Sequence, residues 1–197
     1  MTCKVVVLYY SHDGNTRRMA NQIARAVEAT AGCEALVRTV AELSPDNPPE
    51  KQHTQSPLIE KSELRHCDAL IVGSPTRFGN MAAPLKAFFD TTSDLWLSGA
   101  MTDKPAAVFT SSSTLHGGQE STLFTMMLPL LHHGMIMVGL PYTEPALHHT
   151  RSGGTPYGAS QVSGDHPTVT LTADEKALCI ALGRRVASLA VKLKDNR

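Results

Sequence analysis

Three short polar stretches carry the side chains able to do chemistry. Ser11-His12-Asp13-Gly14-Asn15-Thr16 holds two hydroxyls, a glycine and an amide. Pro75-Thr76-Arg77-Phe78-Gly79 adds a cation and an aromatic ring after Ser74. Ser111-Ser112-Ser113-Thr114-Leu115-His116-Gly117 is a run of hydroxyls that ends in glycine. The first stretch leaves an apolar run at 4–8 and enters a segment where Met19, Ile23 and Val27 recur at helical spacing beside Ala20 and Ala24. Backbone N–H groups at such a strand-to-helix turn, with the positive end of the helix dipole behind them, form an anion site. A phosphate monoester fits it, with the Ser11 and Thr16 hydroxyls as further donors. The loop has no Lys, so it is not the phosphate loop of nucleotide triphosphatases, and it lacks the G-x-G-x-x-G of dinucleotide sites. The alternative is an ordinary turn with Ser or Asn capping the helix.

The elements around these loops alternate. The spacing predicts a strand at 4–8, a helix at 16–30 and a strand at 34–40. An irregular, proline-bearing excursion over 41–60 follows, with Pro45, Pro48, Pro49 and Pro57. A helical turn capped by Ser62 is expected at 62–65, a third strand at 68–73, and a helix from about residue 82 with Pro84 in its first turn. Residues 91–102, which include the single Trp96, read as irregular. A fourth strand at 105–110 leads to a helix at 120–133, which Pro129 should kink or shorten and Gly134 should end. A fifth strand at 135–138 is followed by an aperiodic excursion over 142–167. The last helix carries Leu178, Leu182, Val186, Leu189 and Leu193 as one stripe, opened by a capping box of Thr172 and Glu175. Strands written as apolar runs suit a parallel sheet covered on both faces. The expected fold is therefore α/β: a flavodoxin-like, doubly wound, five-stranded parallel sheet of order 2-1-3-4-5. Helices lie on both faces and loop excursions follow strands 2 and 5. Residues 1–197 read as one domain.

Composition narrows the function classes. Eighteen Lys and Arg balance eighteen Asp and Glu, which argues against a nucleic-acid surface. No apolar stretch reaches bilayer length. The N-terminus runs straight into a strand, with no charged-then-apolar leader. Cys3, Cys33, Cys67 and Cys179 are scattered singly, as free thiols of a reducing compartment are. Together these point to a cytoplasmic protein. His132-His133 and His148-His149 are adjacent pairs, whose side chains diverge on regular elements, so no metal site is read from them. His132 sits on the helix that starts at the fourth-strand loop. It reads either as a ring-contacting or proton-handling group or as a plain helix-terminal histidine.

In a doubly wound sheet the loops after strands one, three and four meet at one edge, near the switch point. The first would hold a phosphate, the other two something larger and flat, with Phe78 and Trp96 as candidates to border it. Phe78 as a core residue and Arg77 as a solvated charge are the plain alternatives. A phosphate, a polyol and a flat heteroaromatic ring together describe flavin mononucleotide (FMN).

Six segments occur in one order: Ser-x-x-Gly-x-Thr from Ser11, Pro75-Thr76-Arg77-Phe78-Gly79-Asn80-Met81, Leu95-Trp96-x-Ser98-Gly99-Ala100, Gly117-Gly118-Gln119-Glu120, His132-His133-Gly134-Met135 and Gly153-Gly154-Thr155-Pro156-Tyr157-Gly158. In this the chain closely resembles the WrbA family, flavodoxin-like type IV NAD(P)H:quinone oxidoreductases, from Lys4 to about Lys194. The resemblance implies noncovalent FMN and a two-electron, ping-pong transfer of hydride from NAD(P)H through the flavin to a quinone. It implies that Ser11 to Thr16 (His12, Asp13, Gly14 and Asn15 included) hold the phosphate. Pro75, Thr76, Arg77, Phe78 and Gly79, with Ser111, Ser112, Ser113, Thr114, Leu115, His116 and Gly117, would hold the ribityl chain and ring. It also gives His132 an approach to the ring from another subunit or from the pocket wall, and a catalytic role with Trp96. Trp96 and Asp13 would border the substrates. A homotetramer with active sites between subunits follows from the same resemblance. The chain departs from the family at Leu115-His116, where the family loop is richer in glycine, at His12-Asp13 and at Pro129. A flavodoxin-like electron carrier and an accessory to a transcription repressor are the competing readings; the neutral charge counts against the first. A phosphoacceptor receiver domain needs an Asp where Gly73 and Ser74 stand.

Overall fold

Apolar runs fold here as strands because both of their faces are covered. In the computed structural model, which describes residues 2–43, 55–164 and 170–194, β1 (Cys3–Tyr9) lies between β2 (Cys33–Thr39) and β3 (Ala69–Pro75), and β4 (Pro105–Ser112) lies beyond β3. All neighbours are parallel. Alternate residues of one strand feed two cores. Val5, Val7 and Tyr9 pack with α1 (Asn15–Glu28) and α7 (Ala173–Lys194). Val6 and Leu8 pack with Leu85 and Phe89 of α3 (Ala83–Asp90) and with Leu123, Met126 and Leu130 of α5 (Gln119–His132). This is the expected doubly wound α/β arrangement, in the expected order 2-1-3-4-5.

The sheet has six strands rather than five. The expected fifth strand shrinks to β5 (Ile136–Met137), paired with Pro105 and Ala106 at the start of β4. The chain then leaves the sheet, forms α6 (Ala146–His149) and returns as β6 (Ala159–Val162) against Phe109 to Ser112, at the end of β4. One edge of β4 is thus shared by two short strands. The second was hidden because Ala159-Ser160-Gln161-Val162 has neither an apolar run nor alternation, although its first three residues are buried. Gly158 is needed just before it: a Cβ there would meet the Val108 carbonyl oxygen at 2.2 Å.

Other corrections are local. Residues 91–102 are not irregular throughout, since Trp96 sits in α4 (Ser93–Leu97), too short to show a period. α2 (Lys61–His66) is capped by Glu60, whose N–H donates to the Glu63 carboxylate at 3.1 Å, and Ser62 lies inside it. Pro129 does not shorten α5, which continues past it to His132, and Gly134 ends the helix at φ 75° as expected. Ser74, Pro75, Ser111 and Ser112, expected in loops, complete β3 and β4. Residues 44–54 of the first excursion, with Pro45, Pro48 and Pro49, and 165–167 of the second lie outside the described residues. No helix among the described residues is long and apolar enough to cross a membrane.

The capping box of α7 does more than start a helix. Glu175 is fully buried. Its Oε2 accepts the Thr172 N–H at 2.9 Å, while Oε1 accepts the Ser152 hydroxyl at 2.6 Å, the Gly153 N–H at 3.1 Å and the Val162 N–H at 2.9 Å. One carboxylate therefore fixes both ends of the returning excursion. Glu175→Ala would leave four donors without their acceptor, and a buried donor that loses its partner is costly. The expected loss is about 3 kcal/mol, read as a shift of the urea unfolding midpoint, with Glu175→Gln losing less.

Candidate active site

The three loops named by sequence meet at the C-terminal edge of the sheet and are bonded to one another. Thr16, in the first turn of α1, shares a buried 3.0 Å hydroxyl contact with Ser111 at the end of β4. The Ser111 carbonyl accepts the Thr76 N–H at 2.9 Å. The Thr76 hydroxyl in turn donates to the Gly117 carbonyl at 3.2 Å and accepts from Thr122 at 2.8 Å. Three segments remote in sequence are thus held at fixed separation by small side chains and backbone.

Each loop also leaves something unfinished. In the first, Gly14 is the N-cap of α1 at φ 83°, and no side chain caps the helix. Ser11 Oγ is buried yet has no hydrogen-bond partner among the described residues. His12 and Asp13 are exposed at the rim, 3.9 Å apart. In the second, Arg77 and Asn80 exchange backbone hydrogen bonds of 2.8 and 3.0 Å. The two residues between them, Phe78 and Gly79, have φ of 52° and 72°. That is a tight turn with positive φ at both central positions, which favours Asn-Gly. Phe78 occupies the first of them with its ring fully exposed. A bulky side chain held in the left-handed region, with no core to pack against, is a strained feature of the kind that clusters at functional sites. Neither its core alternative nor an ordinary turn preference accounts for it. In the third loop, Ser112 turns inward, donating to the Thr114 carbonyl at 2.8 Å and accepting from Gln119 Nε2 at 2.9 Å. Ser113, Thr114, Leu115 and His116 face solvent. β6 supports this loop from outside, because the Ser163 N–H donates to the Ser112 carbonyl at 2.8 Å. Gln119 and Thr122 were not named as site residues by sequence. The Gly117-Gly118-Gln119-Glu120 run was their available sign.

Trp96 and His132 are not at this edge. α5 starts beside the third loop and runs its 14 residues, about 20 Å, to the other side of the molecule. There His132 and Trp96 line a cleft of about 460 Å³ with Lys86, Phe89, Leu128 and His133. The two residues do come together, but within one chain they are far from the loops. Of the histidine pair, His133 is the buried member. Its Nε2 lies 2.9 Å from the Thr92 hydroxyl, and its Nδ1 is buried without a partner among the described residues. Burial first, and the neighbouring His132 second, hold its imidazole below the ordinary histidine range. Among the described residues no three His, Cys, Asp or Glu gather as metal ligands would.

The sequence matches the NADPH-dependent FMN reductase family over residues 3–144. The chain belongs to that family. Its relatives within it run the full length of the chain. An NAD(P)H dehydrogenase (quinone) of Syntrophobacter fumaroxidans is 42% identical over 98% of this chain and 100% of its own. One of Geobacter sulfurreducens is 43% identical over 96% and 98%. Solved structures share the fold. A flavodoxin, WrbA-like protein from Agrobacterium tumefaciens superposes with a TM-score of 0.68 at 24% identity, covering 97% of this chain and 99% of that one. Oxidised Flavodoxin 2 from Bacillus cereus gives 0.58 at 16% identity, covering 99% and 100%.

Two tests follow from this geometry. A left-handed Phe costs about 1–2 kcal/mol, more than glycine adds to the entropy of the unfolded chain. Phe78→Gly is therefore expected to raise the stability of the ligand-free protein, by about 1 kcal/mol at most; a fall in the urea midpoint would mean that the turn is relaxed. For His133, the native state binds the proton more weakly than the unfolded chain, which titrates near the ordinary value of about 6.5. Its contribution to stability is present above that pH and is lost as pH falls through the lower native value. Stability measured from pH 7 to 5 should fall more steeply in the wild type than in His133→Gln.

Proposed function

We propose that this chain, residues 1–197 as one domain, is an FMN-dependent NAD(P)H:quinone oxidoreductase. The observation that carries the activity is the full-length similarity, above 40% identity, to NAD(P)H dehydrogenase (quinone) relatives. The geometry of the loop edge says where the chemistry would sit. Family membership and the flavodoxin-like fold make FMN the cofactor. The edge fits that group: a helix N-terminus without a side-chain cap and a buried, partnerless Ser11 hydroxyl suit its phosphate. An exposed Phe held in a left-handed turn suits the face or rim of its ring.

Bound FMN supplies the hydride chemistry, and the chain's own groups position it. In this reading Ser11, Thr16 and the backbone N–H groups of Gly14, Asn15 and Thr16 hold the phosphate, with His12 and Asp13 at the rim. Pro75, Thr76, Arg77, Phe78 and Gly79 line one side of the ring and ribityl chain, and the Ser111 to Gly117 loop lines the other. Backbone N–H groups there would favour negative charge on the reduced ring. The Ser111–Thr16 and Thr76–Gly117 bonds keep the two sides at one spacing, so nicotinamide and quinone take turns in one slot. Asp13 borders that slot.

In this reading Trp96 and His132 enter from another copy, because within one chain they lie far from the loops. An exposed apolar stripe supports such an assembly. Phe124, Leu128 and Leu131 recur on the outer face of α5, and the Phe124 ring lies 4.6 Å from that of Tyr157. Such a stripe is a surface that a partner copy could cover. A homotetramer with active sites between subunits follows, in the reducing cytoplasm that four free thiols suit.

The test is NADH and NADPH oxidation by purified protein with FMN, with and without benzoquinone. Quinone-dependent oxidation well above an FMN-only control is expected, and its absence would remove the enzyme reading. Trp96→Ala should lower quinone turnover by about tenfold or more while FMN binding stays within about twofold. Equal loss of both, or sedimentation of the active protein as a monomer, would take Trp96 and His132 out of the site.

A further inference from the structure

Two cations stand where helix electrostatics disfavours them. Arg17 and Arg18 occupy the first turn of α1, beside the positive end of its dipole, and no acidic residue shares that turn. Neither side chain simply extends into solvent, for both are partly buried. Both guanidinium groups fold back to the loop. Arg17 Nη2 lies 3.4 Å, and Arg18 Nη1 3.5 Å, from the point where a Cβ on Gly14 would stand. Arg18 is steadied there by a hydrogen bond from its Nη2 to Asn15 Oδ1. Two like charges converge on one glycine, next to a helix N-terminus and to the partnerless Ser11 hydroxyl. Each of these groups repels the others' charge and attracts an anion.

We propose that Arg17 and Arg18 are ligands of the FMN phosphate, closing the outer side of the loop around a phosphomonoester dianion. The proposal rests on the FMN reading. It supplies what the loop lacks, since 11–16 contains no Lys or Arg of its own. The planar guanidinium fork suits phosphate oxygens better than a lysine ammonium would. Gly14 is favoured by its positive φ; the two guanidinium groups come only to van der Waals distance of the point where its Cβ would stand. It follows that the chain should discriminate FMN from riboflavin, which differs only in lacking the phosphate, mainly through this pair.

The experiment is a fluorescence titration of FMN and of riboflavin with the full chain stripped of flavin, at low and at high NaCl. Wild type is compared with Arg17→Gln, Arg18→Gln and the double variant. The double variant should lose roughly 10- to 100-fold in FMN affinity, with riboflavin affinity changed less than about twofold and the salt dependence of FMN binding flattened. The single variants should each lose part of this. Unchanged FMN affinity in the double variant overturns the proposal and leaves the FMN reading standing. An equal fall for both flavins also overturns it, because it means the arginines act on the fold and not on the phosphate. A wild type that binds riboflavin as tightly as FMN rules out any phosphate ligand on this loop. A wild type that binds neither flavin removes the FMN reading and this proposal with it.

Discussion

Ser111 is the residue on which the loop edge closes. Its hydroxyl meets Thr16 and its carbonyl takes the Thr76 N–H, so the ends of β1, β3 and β4 are held relative to one another at a single point. None of the three loops is long or apolar enough to pack a core of its own. Their spacing has to come from bonds between short side chains and backbone, in a place where water is excluded. The brace extends outward. β6 holds the end of β4 through Ser163 and Ser112, and Glu175 holds β6 through the Val162 N–H. A helix at the C-terminal end of the chain thus fixes the geometry of a loop that begins near residue 11.

Set against that rigid junction, three unusual features lie on the outer side of the same edge. Ser11 Oγ lacks a partner, Phe78 is strained and exposed, and two guanidinium groups approach Gly14. Elsewhere in the fold His133 Nδ1 is also buried without a partner among the described residues, but other buried polar groups are paired. Lys104 is buried but donates to the Leu64 and Arg65 carbonyls at the end of α2, and Tyr10 donates to Glu42. Burial and that bond push the Tyr10 phenol up to about 12. Such pairing is what a finished interior looks like. Features of this kind at one edge are what a site for an anionic, flat ligand would use, and they support the proposal that the edge is a binding site.

How much of this the sequence showed depended on the length of each element. The sheet order, the two long helices and the loops at 11–16, 75–79 and 111–117 were legible because four-residue or longer apolar runs and 3.6-residue periods survive in β1, β3, β4, α1 and α7. β6 was not, since Ser160 and Gln161 are polar residues buried by their neighbours and not by their own pattern. α4 was missed for brevity. Pro129 did not shorten α5, which runs on to His132. The family motifs named Trp96 and His132 as site residues, yet no periodicity could say that they would lie at the far end of α5. His133, the buried member of its pair, was visible only as one of two adjacent rings.

That far placement has a consequence for assembly. α5 is a straight spacer with the flavin edge at its N-terminal end and the Trp96–His132 cleft at its C-terminal end, and its exposed stripe of Phe124, Leu128 and Leu131 runs between them. A two-fold axis perpendicular to the helix at that stripe would set two copies of α5 antiparallel. Antiparallel pairing brings the C-terminal end of one α5 toward the N-terminal end of the other. The cleft of one copy would then approach the loop edge of its neighbour without any change inside either chain. The apolar stripe and the two-ended layout of α5 therefore support the same reading. In the proposed assembly, the side chains that would contact substrate lie about 20 Å from the loop edge of their own chain and would serve the subunit next door.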